Sequence, residues 1–343
     1  MTKKTPDEPS FLTEGILNVS LIKAEALRLG FSACGLAPAE PVDKVHAERR
    51  LQWIREGRHA DMQYLERNMD KRLDPRLLVE GARTILSVAL NYYPAEKLSG
   101  WALSRYVYGQ DYHEVMKARL RQLAAHIPPK EGYETRVFVD TAPLDERYWA
   151  WRCGLGWQGR SGQLILPKGG TYFFLGEIVL PYEADAYDTP IENRCGTCHA
   201  CVDACPGQAL RGDGTLDANR CLSYLTIENR GDLPPGTGQK MGACFYGCDR
   251  CAEVCPWNRF AKPTEVEEFR PSEQLLQMTR EDWEQLTVEQ YRAIFKGSAV
   301  KRAKFEGLKR NIKALARKKI KFIFPCVSTY YKRYAEKYEK KHS

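Results

Sequence analysis

The chain has 343 residues, of which 43% are hydrophobic and 28% are charged, a composition typical of globular proteins with one to three domains. No apolar run approaches the roughly 20 residues that cross a membrane. The polar N-terminus, MTKKTPDEPSFLTEG, has neither a basic-then-apolar leader nor a twin-arginine pair. We therefore expect a cytoplasmic protein with no membrane partner.

The positive charge lies mainly at the C-terminal end of the chain. The formal net charge is +8, yet residues 296–343 contain 16 Lys and Arg against 3 Glu, so the remainder of the chain is acidic. Such a block is often a solvated helix face. The alternative is a surface for an anionic partner such as nucleic acid.

The first half of the chain mixes strand and helix signals. RTILSVAL at 83–90 has the apolar run of a buried strand, and HEVMKARLRQLAAHI at 113–127 has apolar residues near helical spacing. RVFVD at 136–140 and FFLGEIVL at 173–180 are further strand candidates. The pattern predicts an α+β protein whose N-terminal α/β domain covers residues 1–185.

The end of the chain has helix signals. After a polar stretch, TREDW at 279–283 places Thr279 as a helix cap with Asp282 three residues later. We predict a cysteine-rich domain at 186–262 and a small, basic, helical region at 263–343.

Nine of the 12 cysteines lie between Cys195 and Cys255. Without an export signal, this density indicates metal ligation rather than disulfides. The first run has the form C-x-x-C-x-x-C-x-x-x-C-P and the second repeats C-x-x-C-x-x-x-C-P, as in ferredoxins with two [4Fe-4S] clusters. The first run comprises Cys195, Cys198, Cys201 and Cys205, and the second comprises Cys248, Cys251 and Cys255.

In two-cluster ferredoxins the last cysteine of each run ligates the other cluster. This rule predicts two ligand sets: Cys195, Cys198, Cys201 and Cys255 for the first cluster, and Cys205, Cys248, Cys251 with either Cys221 or Cys244 for the second. A zinc site would not explain the two Cys-Pro endings. Such clusters carry electrons, so the domain before them is expected to hold a substrate or another redox centre.

Three glycines, Gly154, Gly156 and Gly159, match G-x-G-x-x-G by letters. No clean strand precedes them, so we interpret them as turn glycines rather than a dinucleotide site.

Six segments together resemble the epoxyqueuosine reductase family, and they occur in the same order over most of the chain. They are VDTAPLDER (139–147), GLGWQGRSGQLIL (154–166), FFLGEI (173–178), CLSYLTIENRG (221–231), YGCDRCAEVCPWN (246–258) and FKGSAVKR (295–302). The resemblance implies a cobalamin-dependent enzyme with two [4Fe-4S] clusters, related to reductive dehalogenases. It also implies reduction of the epoxide of epoxyqueuosine at the tRNA wobble position to queuosine.

The resemblance also implies roles for individual residues. Asp140 matches the proton donor, Cys221 matches the fourth ligand of the second cluster, and Arg147 and Ser223 match residues near the corrinoid and substrate. Without the resemblance, Asp140 would be interpreted as a turn or cap residue and Arg147 as a surface ion-pair residue. An aspartic acid can donate a proton near neutral pH if burial raises its pKa, which we expect beside an apolar corrin.

The implied partners are tRNA and a low-potential electron donor such as ferredoxin or flavodoxin, and we expect a monomer. Phosphate contacts are expected from basic residues, namely Arg230, Arg317, Lys318, Lys319 and Lys321. Two other hypotheses remain: a corrinoid iron-sulfur reductase of a small molecule, and an iron-sulfur electron carrier without a catalytic centre.

Overall fold

The structure is a computed structural model, and it describes residues 10–316. Its strands are β1 (Leu12–Thr13), β2 (Ile16–Leu17), β3 (Ala33–Pro38), β4 (Thr84–Asn91), β5 (Ala102–Leu103), β6 (Arg136–Phe138), β7 (Trp157–Gln158), β8 (Leu164–Ile165), β9 (Phe173–Leu180), β10 (Glu183–Ala184) and β11 (Cys244–Tyr246).

Its α-helices are α1 (Val19–Arg28), α2 (Lys44–Arg55), α3 (Met69–Leu73), α4 (Pro75–Leu78), α5 (Tyr112–Ala125), α6 (Glu146–Arg152), α7 (Ala200–Asp203), α8 (Leu222–Ile227), α9 (Thr237–Lys240), α10 (Arg250–Glu253), α11 (Glu273–Gln277), α12 (Arg280–Gln285), α13 (Val288–Ile294) and α14 (Lys304–Ala316). Short 3-10 helices lie at Gln63–Leu65, Arg105–Val107, Ala218–Arg220, Pro256–Phe260, Glu267–Phe269 and Ala299–Ala303. Within residues 10–316, no helix has the length and apolar character needed to cross a bilayer.

The central sheet has the strand order β3-β4-β9-β6, and every neighbouring pair is antiparallel. Along β4, Leu86 and Val88 enter one core, which α1 and α5 help to form, while Ile85 and Ala89 enter a second core with α6. This alternation follows from the two-residue side-chain period of a strand. The mixed helix and strand content confirms the predicted α+β class.

Most of the elements predicted in this half are confirmed, and one was predicted too long. β4, β9 and α5 lie where the sequence patterns placed them, and Phe173–Leu180 matches its predicted strand at both ends. The strand predicted over 136–140 ends instead at Phe138. Asp140 has a φ of 59°, a left-handed conformation that an extended strand cannot contain.

A third core connects the cysteine-rich segment to the helices that follow it. It is formed by buried side chains from separate parts of the chain, among them Leu103, Leu222, Phe245, Trp283 and Ile312. Thr279 and Asp282 form the expected capping box at the start of α12. The domain boundaries at residues 185 and 262 stay a prediction.

Gly154 and Gly156 of the G-x-G-x-x-G match lie between α6 and β7, and Gly159 lies in the β7–β8 hairpin, so the three glycines do not connect a strand to a helix. A Cβ atom on Gly156 would lie 2.2 Å from the carbonyl oxygen of Ile165. Close backbone packing therefore explains glycine at this position, in agreement with the interpretation as turn glycines.

Candidate active site and cysteine centre

The two cysteine runs have the same local fold. Each contains a one-turn helix, α7 in the first run and α10 in the second, and these two helices pack against each other. Cys201 and Cys251 lie within the helices, while Cys205 and Cys255 follow them by two residues. Equal spacing around equal turns gives the two runs matching geometry.

Four thiols form one neighbouring group. Burial, together with the nearby Cys198 and Cys195 thiols, raises the pKa of Cys201 to about 11. Burial also raises the pKa of Cys255 to about 11, with further contributions from Cys195 and Cys201. Cys255 belongs to the second run by sequence but lies among the thiols of the first.

A second group contains Cys205, Cys221, Cys248 and Cys251. Burial raises the pKa of Cys248 to about 12, with further contributions from Cys221 and Cys205. The pKa of Cys251 lies well above its ordinary value because of burial and the nearby Cys248 and Cys221 thiols. Within residues 10–316, no three Cys, His, Asp or Glu side chains are arranged to bind one metal ion. The two thiol groups are therefore defined by which cysteines are neighbours.

Cys244 differs from these eight cysteines because its thiol contacts backbone carbonyl oxygens. Its Sγ donates to the carbonyl oxygen of Tyr246 at 3.1 Å and contacts that of Gly247 at 3.6 Å. Burial raises its pKa well above the ordinary value, and the first charged neighbour that contributes is Asp249 rather than a cysteine.

A cavity of about 260 Å³ lies beside the second thiol group. It brings together the three non-cysteine residues that the resemblance implies, Asp140, Arg147 and Ser223, with Cys248. Asp140 lies between β6 and α6, in a loop of residues 139–145 that we call the Asp140 loop. Ser223 lies in α8, so residues distant in sequence meet at one cavity.

Asp140 is held by groups that the sequence analysis did not single out. The Tyr112 hydroxyl donates to Asp140 Oδ2 at 2.8 Å, and His113 Nε2 lies 3.4 Å from the same oxygen. The opposite ring nitrogen, His113 Nδ1, lies 2.7 Å from Asp111 Oδ1. His113 is therefore placed between two carboxylates.

This arrangement shifts the pKa values of both partners. The hydrogen bond from His113 lowers the pKa of Asp140, which partial desolvation in the cavity would otherwise raise, and Tyr112 lowers it further. For His113, burial opposes the charged form, but the hydrogen bonds to Asp111 and Asp140 outweigh it and raise the pKa to about 9. The chain's own residues therefore do not raise the pKa of Asp140 as expected, because the His113 cation faces its carboxylate.

Glu146, the first residue of α6, also lines the cavity. Its Oε1 accepts a hydrogen bond from the backbone N–H of Asp140. Burial and the nearby Asp140 charge raise the pKa of Glu146 to about 8. The site thus contains a carboxyl group that is largely neutral near pH 7, but this group is not Asp140.

A second cavity, of about 210 Å³, contains a concentration of arginines: Arg49, Arg50, Arg72 and Arg147. Arg147 lines both cavities. Arg50 pairs with Asp145 at 2.9 Å, and the buried Nε of Arg50 has no hydrogen-bond partner among the described residues. The pKa of Arg72 is lowered by burial and by the positive charge of Arg50, as expected where guanidinium groups are crowded.

Sequence reasoning missed Asp111, Tyr112, His113 and Glu146. Asp111 is the N-cap of α5, and an Asp immediately before an apolar helix is a recognisable signal for such a position. Glu146 lies within the VDTAPLDER segment. Nothing in the sequence indicates that the start of α5 or the side chain of Glu146 contacts Asp140.

Two family models match the chain. Residues 72–141 match a model described as epoxyqueuosine reductase QueG, DUF1730, and residues 194–258 match a 4Fe-4S double cluster binding domain. An epoxyqueuosine reductase from Cellulophaga algicola is 44% identical over 295 residues, which cover 85% of this chain and 96% of the relative. The chain belongs to the epoxyqueuosine reductase family.

Solved structures of epoxyqueuosine reductases have the same fold. One, in complex with an epoxyqueuosine-modified stem loop of tRNA-Tyr, has a TM-score of 0.78 at 27% identity and covers 86% of this chain and 80% of its own. Another, from Bacillus subtilis, has its catalytic aspartate loop swung out of the active site, with a TM-score of 0.74 at 26% identity and coverage of 86% and 80%. The similarity to this family thus extends over both the cavity and the cysteine segment.

Proposed function

We propose that this chain reduces the epoxide of epoxyqueuosine in tRNA to queuosine, with cobalamin and two [4Fe-4S] clusters as cofactors. The observation that carries the proposal is the 260 Å³ cavity, where Asp140, Arg147 and Ser223 lie beside Cys248. The proposed proton donor, Asp140, and a candidate cluster ligand, Cys248, thus line the same cavity. Family membership supplies the substrate class.

The cysteine chemistry fits two cubane clusters. Each proposed set has four thiols, and the thiolate is the form that binds iron. We assign Cys195, Cys198, Cys201 and Cys255 to the first cluster and Cys205, Cys221, Cys248 and Cys251 to the second. The backbone contacts of Cys244 support leaving it out, and the Cys205 contribution to the raised pKa of Cys221, after that of burial, supports including Cys221.

The residues around the two cavities fit a corrinoid with a nucleotide tail. When bound, cobalamin supplies low-potential cobalt chemistry at the epoxide. Arg147 and Ser223 would contact the cofactor or substrate in the first cavity. We propose that the arginine-lined cavity receives the anionic phosphodiester of the tail, because the unpartnered Nε of Arg50 offers a charged donor there.

Removal of an epoxide oxygen as water consumes two electrons and two protons, so the site must deliver protons repeatedly. Asp140 faces the cavity, but its lowered pKa leaves it mostly ionised at neutral pH. His113, whose pKa is raised to about 9, holds a proton 3.4 Å from Asp140 Oδ2. We assign Asp140 as the group that transfers the proton and His113 as the group that stores it, with Asp111 fixing the ring orientation.

The proposed partners are tRNA and a low-potential electron donor such as ferredoxin or flavodoxin. We also propose that the chain acts as a monomer. The tRNA assignment is supported by the stem-loop complex of the solved relative. Arg230 is exposed, and its guanidinium donates to the carbonyl oxygens of Ile227 and Arg302, which leaves its outer face for phosphate. The basic run Arg317, Lys318, Lys319 and Lys321 lies outside the described residues.

The test is anaerobic turnover of epoxyqueuosine-containing tRNA by protein with both clusters, with and without cobalamin. We expect cobalamin-dependent formation of queuosine, and a decrease of about 10³-fold in kcat for Asp140→Ala, because general acid catalysis contributes at this scale. A plain electron carrier would show no conversion. Conversion of a halogenated small molecule but not of the tRNA would instead support the second alternative.

A further inference from the structure

The backbone of the Asp140 loop is strained where the acid is attached. Asp140 has a φ of 59°, a region that L-residues with a Cβ atom rarely adopt because the side chain crowds the neighbouring carbonyl. Its side chain is 59% exposed, so packing alone does not impose this conformation. A contact must therefore hold the loop if the carboxylate is to face the cavity.

Glu146 provides that contact. Its Oε1 accepts the N–H of Asp140, which is the backbone group next to the strained dihedral angle. Tyr112 and His113 hold the Asp140 side chain, and the Thr141 N–H donates to the Val139 carbonyl oxygen across the turn at 2.6 Å, but none of these contacts binds the Asp140 N–H. Glu146 thus complements them by holding the main chain.

The position of Glu146 is itself fixed by the fold. It begins α6, which packs against β4 and β9. On β9, Glu177 is fully buried and pairs in register with Ser87, whose hydroxyl donates to Glu177 Oε1 at 3.1 Å. The charge of Glu146 contributes, after burial, to the raised pKa of Glu177, which indicates that the two carboxyls lie near each other.

The charges around Glu146 favour its neutral form. Asp140, Asp145 and Glu177 are acidic neighbours, and Arg147 is a basic neighbour whose effect is smaller than that of Asp140. A neutral carboxyl still accepts a hydrogen bond through its carbonyl oxygen, and it does so without repelling the Asp140 carboxylate. Glu146 can therefore bind the loop at the pH where Asp140 carries its charge.

We propose that Glu146 is a positioning residue that holds the Asp140 loop with its carboxylate in the cavity, against a state in which the loop turns away. This inference rests on the proposed function for its catalytic consequence. The swung-out loop of the Bacillus subtilis relative is the kind of state that the contact would disfavour. Glu177 lies behind Glu146 and favours the neutral form of the Glu146 carboxyl group.

The test measures the loop directly, by hydrogen–deuterium exchange of peptides spanning residues 138–145 in the protein with both clusters. Glu146→Met keeps the side-chain length but removes the acceptor, and Glu146→Gln keeps a carbonyl acceptor. We expect exchange at the Asp140 amide to accelerate about 10-fold or more in the Met variant, as for loss of a hydrogen bond to a charged or polar partner. Exchange in the Gln variant should stay within about 3-fold of the parent.

Asp145→Asn is the matched control for exchange, because Asp145 adjoins Glu146 but pairs with Arg50 instead. If Glu146→Met does not fold, Glu146→Asp, whose side chain is one methylene shorter, addresses the same question. Unchanged exchange at Asp140 in the variant that lacks the contact would overturn the proposal, whatever its activity.

Turnover separates the two proposals. If Glu146 positions the acid, kcat should fall about 10-fold to 100-fold in the Met variant, and the KM for tRNA and the iron content should stay unchanged. Glu146→Gln should recover most of the rate. Accelerated exchange in a protein that converts no tRNA would preserve the role of Glu146 in the loop and refute the proposed reaction.

Discussion

The cysteine segment and the Asp140 loop border the same cavity but are held by different kinds of contact. The cysteines are positioned by short spacings around two one-turn helices, α7 and α10. The Asp140 side chain is held by Tyr112 and His113, which precede it by 28 and 27 residues in the sequence. Its backbone is held by Glu146 from the next helix.

This difference affects how each region tolerates change. Ligands bound to a common cluster would constrain one another, so loss of one thiol should remove a whole centre. The groups around Asp140 make separate hydrogen bonds, so loss of one should weaken the acid without removing it. We therefore expect all-or-none effects in the first region and graded effects in the second.

The largest effect is expected for Cys221, the proposed eighth cluster ligand. Cys221→Ala should eliminate the second cluster, reduce iron from about eight to about four atoms per chain and abolish turnover. Cys244→Ala is the matched control, because its thiol contacts the Tyr246 carbonyl at 3.1 Å, and it should keep all the iron. Iron and sulfide analysis with electron paramagnetic resonance measures both variants. The reverse result would assign Cys244 as the ligand.

A graded effect is expected for the proton store. Because the His113 pKa is raised to about 9, the ring is charged below that pH and loses its proton above it, so kcat should fall as pH rises through about 9. His113→Gln should lower kcat about 10-fold to 100-fold at pH 7 and remove this alkaline decline. The measurement is kcat against pH from 6 to 10.

Two controls isolate the His113 effect. His126→Gln removes another imidazole that pairs with a carboxylate, that of Glu25 at 3.0 Å, and should keep the full pH profile. Glu146→Gln tests the other group that titrates in this range, since its pKa is about 8, and the decline near pH 9 should persist. If His113→Gln keeps that decline, the stored proton lies elsewhere.

The same difference explains what sequence alone could predict. The spacing from Cys195 to Cys205 and from Cys248 to Cys255 is local, and a known bonding rule divides these cysteines between two predicted ligand sets. The same rule left the eighth ligand open between Cys221 and Cys244. The strands at 83–90 and 173–180 were predictable because burial imposes an apolar run.

The proposed proton pathway was not predictable, because it depends on tertiary contacts and a strained dihedral angle. No periodicity indicates that His113, at the start of a helix, lies 3.4 Å from Asp140 Oδ2. The expectation that burial raises the pKa of Asp140 considered one physical effect and omitted the cation beside it. The left-handed φ of Asp140 also ended its strand two residues early.

The smallest effect is expected in the arginine-lined cavity, which contributes neither cluster ligands nor the proton. Arg50→Met should weaken cobalamin binding about 10-fold, as for loss of one charge-assisted hydrogen bond to phosphate. It should leave the affinity for cobinamide, which lacks the nucleotide tail, unchanged. Anaerobic absorbance titrations with the two corrinoids measure the difference.

Arg55→Met is the matched control on the same helix, α2, because Arg55 pairs with Glu48 outside the cavity. It should bind both corrinoids as the parent does. If Arg50→Met weakens both equally, the cavity acts on the corrin or on the local fold rather than on the tail. A selective loss with normal iron content and an unchanged pH profile would establish a third region, in which one arginine modulates cofactor affinity independently of electron and proton supply.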